Sequence, residues 1–331
     1  MKIYVVAEVR ENHKSILGEA QLYNDYVSKK SMDELVSTLQ SIGYDCEFFG
    51  GVSELHKAYL NKEDFSNAIF INYNYGLPAA FKRAQSPILL ELLQTSYSGA
   101  DPFVALLVND KEFTKKVVSN IVHTPKSLLI SNSTELQENY LLENLSFPVV
   151  VKPNGEGSSL GIDKDSLCYD YEQTQHVCIN RLKEYDDVLI EEYIPGYECT
   201  VWVIGNPENY RLVAPLLISY NGEYIFTNKI FTMDDKANHV RQYHNPKNLI
   251  SDYVIDDLID KSKSIFQELR MHDYARFDFR INNDNIYFIE ANALPIFSKS
   301  SEIGNIEKIY NVSYPEICKN LVETILERLM T

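Results

Sequence analysis

One stretch constrains this chain more than any other: Tyr274 to Ser301, YARFDFRINNDNIYFIEANALPIFSKSS. Ala275 to Ile281 alternates apolar and polar side chains as a half-buried strand does. Asn282 to Asn285 is a cluster of turn formers, and Ile286 to Ala291 reads as the returning strand. Successive side chains on a strand point to opposite faces, so Arg276 shares a face with Asp278, and Glu290 shares one with Asn292. A turn centred on Asp284 sets Asp278 opposite Glu290 and Arg276 opposite Asn292. Two carboxylates facing each other across a ladder repel unless a cation lies between them, and oxygen donors from Asp, Glu and Asn suit Mg2+. The plainer alternative is a solvated hairpin with its charges in water. Phe277, Phe279, Phe288 and Ile289 argue that at least one face is buried.

A chain of 331 residues suits two or three domains and can bury a substantial core. With 45% hydrophobic and 24% charged residues it reads as a folded protein rather than a disordered one. A formal net charge of −16 argues against nucleic acid or an anionic membrane as the main partner, so an anionic ligand must be held by local positive charge. MKIYVVAEVREN reads as a first strand rather than a leader, and no apolar run is long enough to span a bilayer, so the expected location is cytoplasmic. Cys46, Cys168, Cys178, Cys199 and Cys318 are odd in number and lack CxxC spacing; they read as reduced, packed thiols, with a nucleophilic cysteine as the minor alternative.

The first hundred residues alternate strand and helix patterns. Ile3–Val9, Tyr44–Phe49 and Ala68–Ile71 are expected strands, and Ser31–Ile42 an amphipathic helix with a Ser N-cap, stopped by Gly43. This is an α/β layer resembling part of a doubly wound sheet. The polar stretch Arg10–Lys30 is a functional loop or a short extra helix. Pro87–Leu93 reads as helix and Ser96–Pro102 as a loop, where a first boundary is placed. The expected domains are 1–97, 98–192 and 193–331.

Beyond that boundary, Asp110–Ser119 is an expected helix carrying Lys111, Lys115 and Lys116, which equally suit a solvated face. Pro125–Ile130 reads as strand and Ser133–Leu142 as helix. FPVVVK, ending at Lys152, is a buried strand running straight into the loop PNGEGSSLG. The glycines are spaced GxGxxxG with no apolar helix following, which fails the dinucleotide fingerprint, and no GxxxxGK[ST] occurs. What remains is either a loop whose N–H groups, with Ser158 and Ser159, close over phosphates, or a plain hairpin turn. Leu167–Lys183 can form a helix. Val188–Gly205 reads as two strands broken at Pro195 and Gly196, a hinge against which a purine can stack with Glu198 left for a ribose hydroxyl. Leu212–Ser219 and Glu223–Phe231 extend an antiparallel sheet, Thr232–Pro246 suits a mobile flap, and Asp252–Arg270 and Ser313–Met330 are expected helices.

Taken together and in this order, these motifs resemble the ATP-grasp ligases, and within them the D-alanine:D-alanine ligase family, over roughly Ser98–Ser301. The resemblance implies an ATP-grasp fold, α/β (α+β), with an N-terminal doubly wound-like sheet and two α+β domains enclosing ATP. It sets Lys111 and Lys152 on phosphates, with Gly157, Ser158 and Ser159 in the closing loop. Glu191, Glu192, Tyr193 and Ile194 lie around adenine, Glu198 on the ribose, and Lys229 near the terminal phosphate. Asp278, Glu290 and Asn292 are implied ligands of Mg2+, with Mn2+ able to substitute, and Arg276, Ser158 and Lys229 are implied catalytic groups. The implied reaction activates a carboxylate as an acyl phosphate, which an amine attacks to form an amide with release of ADP and phosphate. The implied partners are small amino-acid-like substrates, and by analogy a second copy of the chain in a homodimer.

The departures fall on the substrate side. AEVRENH stands where the family has a Gly-Gly-x-Ser-x-Glu turn, leaving Glu8 or Glu11 as substitutes for its amino-group-binding glutamate. NYNYGLPAA at Asn72–Ala80 replaces HGxxGEDG and keeps only Gly76. Pro295 is followed by Ile296, not glycine, and Lys229 by Ile230, not tyrosine; Ser301 keeps a hydroxyl where the second substrate's carboxylate is bound. The expected function is therefore an ATP-dependent carboxylate–amine ligase acting on amino-acid-like substrates. The alternatives are the housekeeping cell-wall ligase and a non-catalytic ATP-binding regulatory protein.

Overall fold

In a computed structural model, which describes residues 1–13, 26–73, 75–79, 81–157, 159–232 and 241–330, the chain builds three sheets. The first is parallel, with β1 (Lys2–Val6), β2 (Cys46–Gly50), β3 (Ala68–Asn72) and β4 (Ser96–Tyr97) in the order β2-β1-β3-β4. Both faces are covered, as parallel sheets require. Ile3 and Val5 pack on Met32, Leu35 and Leu39 of helix Lys29–Ser41, whereas Val6 and Tyr4 pack on Leu55, Ala58 and Leu90 on the other side. Ile317, Leu321 and Ile325 of the last helix, Tyr314–Met330, join the first of these layers, so the end of the chain closes the core begun by its first strand. Two readings are corrected here. The N-cap of the first long helix is Ser28, whose hydroxyl accepts from Ser31 N at 3.1 Å; Ser31 already lies inside the helix. Ser96–Tyr97 is paired with β3 rather than looped, a strand too short to show alternation in sequence.

The second sheet is antiparallel: β5 (Ser127–Ile130), β6 (Val149–Pro153), β7 (Leu167–Cys168) and β8 (Val188–Glu192), ordered β5-β8-β6-β7. Val149, Val151, Val188 and Ile190 form its core with Leu141 and Val177 from the overlying helices. The helix expected from Leu167 starts only at Tyr171, because Leu167 and Cys168 pair with β6 and Asp170 caps the helix by accepting from Gln173 N. The helix expected over Ser133–Leu142 is a 3-10 turn, Ser133–Glu135, followed by Glu138–Asn144. PNGEGSSLG lies between β6 and its neighbour β7, so the loop is at once a connection of antiparallel strands and free to overhang the sheet.

The third sheet holds β9 (Gly196–Asn206), β10 (Asn209–Tyr220), β11 (Ile225–Phe226), β12 (Arg241–His244), β13 (Tyr274–Asn282) and β14 (Asn285–Asn292), ordered β12-β10-β9-β13-β14 with β11 on β9. The strand expected over Glu223–Phe231 shrinks to Ile225–Phe226. Cys199, Val201 and Val203 of β9 and Ala275, Phe277 and Phe279 of β13 pack on Val254, Leu258 and Ile265 of helix Asp252–Glu268. Burying each large apolar side chain is worth about 1.5–3 kcal/mol. Because the side-chain period is two, the polar residues between them, Glu198, Thr200, Arg276, Asp278 and Arg280, share the opposite face.

The break at Pro195–Gly196 is where the chain passes from the second sheet to the third. Gly196 has φ +121°, and a Cβ there would lie 2.1 Å from Ile281 O, so only glycine fits. Fully buried Asp273 ties distant segments together: it accepts from Gly99 N (3.0 Å), Asn206 Nδ2 (3.1 Å), and Arg328 Nε and Nη2 (2.9 Å each). All five cysteines are buried and free, and burial pushes the thiols of Cys46, Cys178 and Cys318 up to about 12. Among the described residues no helix is long and apolar enough to cross a membrane.

Candidate active site

The hairpin of β13 and β14 makes the pairings that the sequence reading required, by a different route. Its turn has two central residues, Asn283 (φ +47°) and Asp284 (φ +66°), between paired Asn282 and Asn285. Carried on regularly, that register would oppose Asp278 to Ile289. A β-bulge between Asp278 and Phe279 absorbs one residue, and beyond it Asp278 faces Glu290 and Arg276 faces Asn292. The bulge also turns Ile289 and Glu290 toward the same cavity.

Asp278 Oδ1 accepts from Thr200 Oγ1 at 2.6 Å, and Oδ2 from Arg276 Nη2 at 3.0 Å. Arg276 Nη1 donates to Glu302 Oε1 at 3.3 Å, while its Nε is buried without a partner. Burial raises the Asp278 carboxyl above the usual range; Arg276 opposes this, and Glu290 across the ladder adds to it. For Glu290 burial acts in the same direction but loses to Lys111, Lys152, Arg276 and Arg83, which hold its carboxyl below the usual range. No cluster of three His, Cys, Asp or Glu side chains forms a metal cage among the described residues. The donor set is two carboxylates and one amide, all oxygen, with Asn292 Oδ1 also accepting from Leu294 N. That set suits a hard cation that completes its shell with water and phosphate, which is how Mg2+ binds.

Lys111 opens helix Lys111–Val118 behind the Asp110 N-cap. Its Nζ donates to the carbonyls of Asn154 (3.3 Å) and Glu156 in the glycine-rich loop and lies 3.7 Å from Glu290 Oε2. Burial lowers its ammonium below the ordinary value, against the attraction of Glu290. Lys152 on β6 pairs with Glu191 on β8, and Lys115 reaches the other oxygen of Glu191 at 3.0 Å. The solvated-face reading is corrected for Lys111 and Lys115, which are 6% and 3% exposed; only Lys116 faces solvent. Burial opposes the charge on Glu191, yet the two lysines hold its carboxyl down at about 2.

A first cavity is bounded by Val150, Lys152, Phe279 and Ile289, with Glu191, Glu192, Tyr193 and Ile194 along one edge. Gly157, Ser159 and Glu198 also line it, and Ser158 lies outside the described residues. The Tyr193 hydroxyl donates to Lys229 O (2.8 Å) and accepts from Arg280 Nη2 (3.3 Å), while Glu192 accepts from Ser146 N (2.8 Å). Glu198 Oε1 accepts from Tyr220 OH (3.0 Å) and Arg241 Nη2 (2.8 Å). A second cavity of about 740 Å³ adjoins the first and includes Arg276, Asp278, Glu290, Asn292, Ile296 and Ser301.

Four residues are placed differently from their sequence readings. Lys229 does not line the first cavity; its Nζ lies 5.5 Å from the centre of the Tyr220 ring. Glu8 lines neither cavity and accepts from Val52 N (2.7 Å) and His13 Nε2 (2.6 Å) at the start of helix Val52–Asn61. Glu11 accepts from Lys29 N at 2.9 Å. Ser301 lines the second cavity, but its hydroxyl is directed at the carbonyls of Ile296 and Ser298, each at 2.7 Å. Positions 233–240 of the Thr232–Pro246 segment, Asn74 and Ala80 of NYNYGLPAA, and 14–25 of Arg10–Lys30 lie outside the described residues.

Sequence reasoning gave no site role to Lys115, Thr200, Arg280 or Arg241. The first three had a signal: Lys115 is four residues from Lys111 on one helix, and Arg280 continues the Arg276–Asp278 alternation. Thr200 sits one period from Glu198, on the same strand face. Arg241 had none, because it lies in a polar segment without periodicity.

A family profile described as "D-ala D-ala ligase C-terminus" matches residues 118–323, more than half of the chain. A D-alanine--D-alanine ligase of Thermotoga petrophila is 24% identical over 301 residues, covering 91% of this chain and 92% of that protein. One from Bordetella avium is 28% identical over 287 residues, covering 85% and 84%. The crystal structure of D-alanine--D-alanine ligase from Bacillus anthracis complexed with ATP has the same fold, at TM-score 0.75 and 18% identity over 99% of this chain and 98% of that one. So does VanG D-Ala:D-Ser ligase from Enterococcus faecalis, at TM-score 0.70 and 17% identity over 98% and 99%. Buried lysines beside a facing carboxylate pair, set between two joined cavities on this fold, are accounted for by one conclusion: the chain belongs to the D-ala D-ala ligase family and is an ATP-dependent, ADP-forming C–N ligase of the ATP-grasp class.

Proposed function

We propose that this chain couples two small amino-acid-like substrates through an acyl phosphate, with ATP in the first cavity and the substrates in the second. The observation that carries this is the position of Asp278 and Glu290, which line both cavities. In the first step a substrate carboxylate oxygen attacks the γ-phosphorus; the new O–P bond forms as the β–γ bridge breaks and ADP leaves with the electron pair. In the second step an amine attacks the acyl carbon, phosphate leaves, and the amine's proton ends on phosphate. Phosphoryl transfer rests on positioning and charge neutralisation. Lys111 and Lys152 supply positive charge on the phosphates, and Asp278, Glu290 and Asn292 would hold Mg2+, which neutralises further charge there when bound. Arg276 faces the second cavity and stabilises the oxyanion of the tetrahedral intermediate. The glycine-rich loop, held by Lys111 and by Lys82 Nζ on Glu156 (3.3 Å), keeps water from the acyl phosphate.

The names of the curated relatives favour D-alanine as both acid and amine. On that reading D-alanine alone drives phosphate release and D-alanyl-D-alanine is the product. VanG, named for a D-Ala:D-Ser reaction, shares the fold, so the panel includes D-alanine paired with other amino acids. Retention of Lys152 and Glu290 argues against a merely regulatory nucleotide site. The test is to follow ADP, phosphate and amide mass with Glu290→Gln beside the wild type. Turnover of the variant at the wild-type rate would remove the assigned metal role.

A further inference from the structure

We propose that Arg241 is a basic side chain that the third sheet contributes to the transferring phosphate, and that its bond to Glu198 couples the ribose end of the nucleotide to that phosphate. The inference rests on the ligase reading above and names a residue that acts in it. Five described residues line both cavities: Ser159, Phe231, Arg241, Asp278 and Glu290. The phosphorus must pass across that junction from nucleotide to acid, and Arg241 is the one cation among the five. Lys229 Nζ is a neighbour, 5.5 Å from the centre of the Tyr220 ring, which the Arg241 guanidinium approaches to 5.7 Å.

The guanidinium is built in rather than loose. Arg241 opens β12, where it pairs with Tyr220 on β10. Its Nη2 donates to Glu198 Oε1 (2.8 Å) and Tyr220 OH (3.0 Å), and its carbon lies 3.9 Å from the centre of the Phe231 ring. Nε is buried and has no hydrogen-bond partner. With both N–H groups of Nη2 held by Glu198 and its neighbour Tyr220, the planar fork is fixed in orientation at the cavity junction and brings its charge to a phosphate there. As the substrate carboxylate bonds to the γ-phosphorus and the bridge to ADP breaks, charge spreads over three equatorial oxygens, and a donor fixed beforehand costs no reorganisation at that moment.

The experiment measures steady-state ADP formation and amide product for the wild type, Arg241→Gln and Arg241→Lys, with binding of ADP and of a non-hydrolysable ATP analogue measured by calorimetry. Arg241→Gln is expected to lose about 100-fold or more in kcat, with Arg241→Lys recovering part of it. Loss of the Glu198 contact weakens both nucleotides, so the deciding quantity is the ratio of their dissociation constants, in which Arg241→Gln should cut the preference for the triphosphate about 10-fold or more. ADP binding itself shows that each variant is folded. The inference is overturned if Arg241→Gln keeps kcat within about threefold of wild type, or if it leaves the triphosphate preference unchanged. If the wild type turns over no acid–amine pair, the ligase reading fails, and the affinity ratio still decides the role of Arg241.

Discussion

Replacing Glu191 by Gln should loosen the second sheet far more than one atom's change suggests. The carboxylate is 4% exposed and lies between Lys152 and Lys115, and the charged pairs bring its pKa from 4.5 down to about 2. At about 1.4 kcal/mol per pH unit, that fall corresponds to roughly 3 kcal/mol of folded-state stabilisation. Removing the anion also leaves two ammonium groups buried without their shared partner, a loss measured elsewhere at about 3–5 kcal/mol. The two estimates describe one interaction and are not added. The assay is hydrogen exchange, read by mass spectrometry, on peptides covering Val149–Pro153 and Val188–Glu192. A loss of about 3 kcal/mol through local opening speeds exchange roughly 100-fold relative to wild type at pH 7. A carboxyl whose folded pKa is depressed contributes its full stability above about 4.5, and that stability is lost as pH falls toward 2. The gap between variant and wild type should therefore narrow from pH 4.5 downward. Equal exchange at pH 7, or a gap that widens in acid, would refute the reasoning. Adding Lys115→Met to Glu191→Gln should recover part of the loss, because one stranded cation is then removed.

Thr200→Val removes the 2.6 Å hydrogen bond to Asp278, whose carboxyl burial already raises. On the proposed metal role of Asp278, Mg2+ activation should weaken about 10-fold, and the acid limb of the kcat/KM profile should move to higher pH, because a protonated carboxyl would not hold a cation; titrating the variant's activity with Mg2+ at several pH values checks both. Asp273→Asn leaves Arg328 without its buried anion and should cost about 3 kcal/mol, seen as a lower midpoint in thermal denaturation, with the active-site residues untouched.

How much of this was readable in advance depends on how locally each feature is encoded. The facing carboxylates were legible because alternation on two adjacent strands fixes which side chains share a face, whatever the rest of the chain does. The strand break at Pro195–Gly196 was legible because proline and glycine interrupt strands, and Gly196 takes a φ that only glycine tolerates beside Ile281. The paths by which distant segments meet were not. Nothing near Glu8 announces that its carboxylate will accept from Val52 N, 44 residues on, and the sequence offered it instead for a substrate amine. The burial of Lys115 likewise follows from Glu191, 76 residues away, and not from its own helix.

The bulge in β14 shows how a correct pairing can rest on an incorrect turn. A turn centred on Asp284 and a two-residue turn followed by one inserted residue place Glu290 identically opposite Asp278, so the pattern of charges alone cannot separate them. They differ in where Ile289 goes: in the regular ladder it would alternate to the face buried on helix Asp252–Glu268, whereas the bulge puts it beside Glu290 on the wall of the first cavity. The inserted residue thus adds apolar surface next to the Glu290 carboxylate without disturbing the pair itself. The family resemblance, carried by the order of short motifs, survives such an insertion because it fixes residue types and not strand register. Register is set by the turn and the bulge together, and it is register that brings Asp278, Glu290 and Thr200 to one place on three adjacent strands.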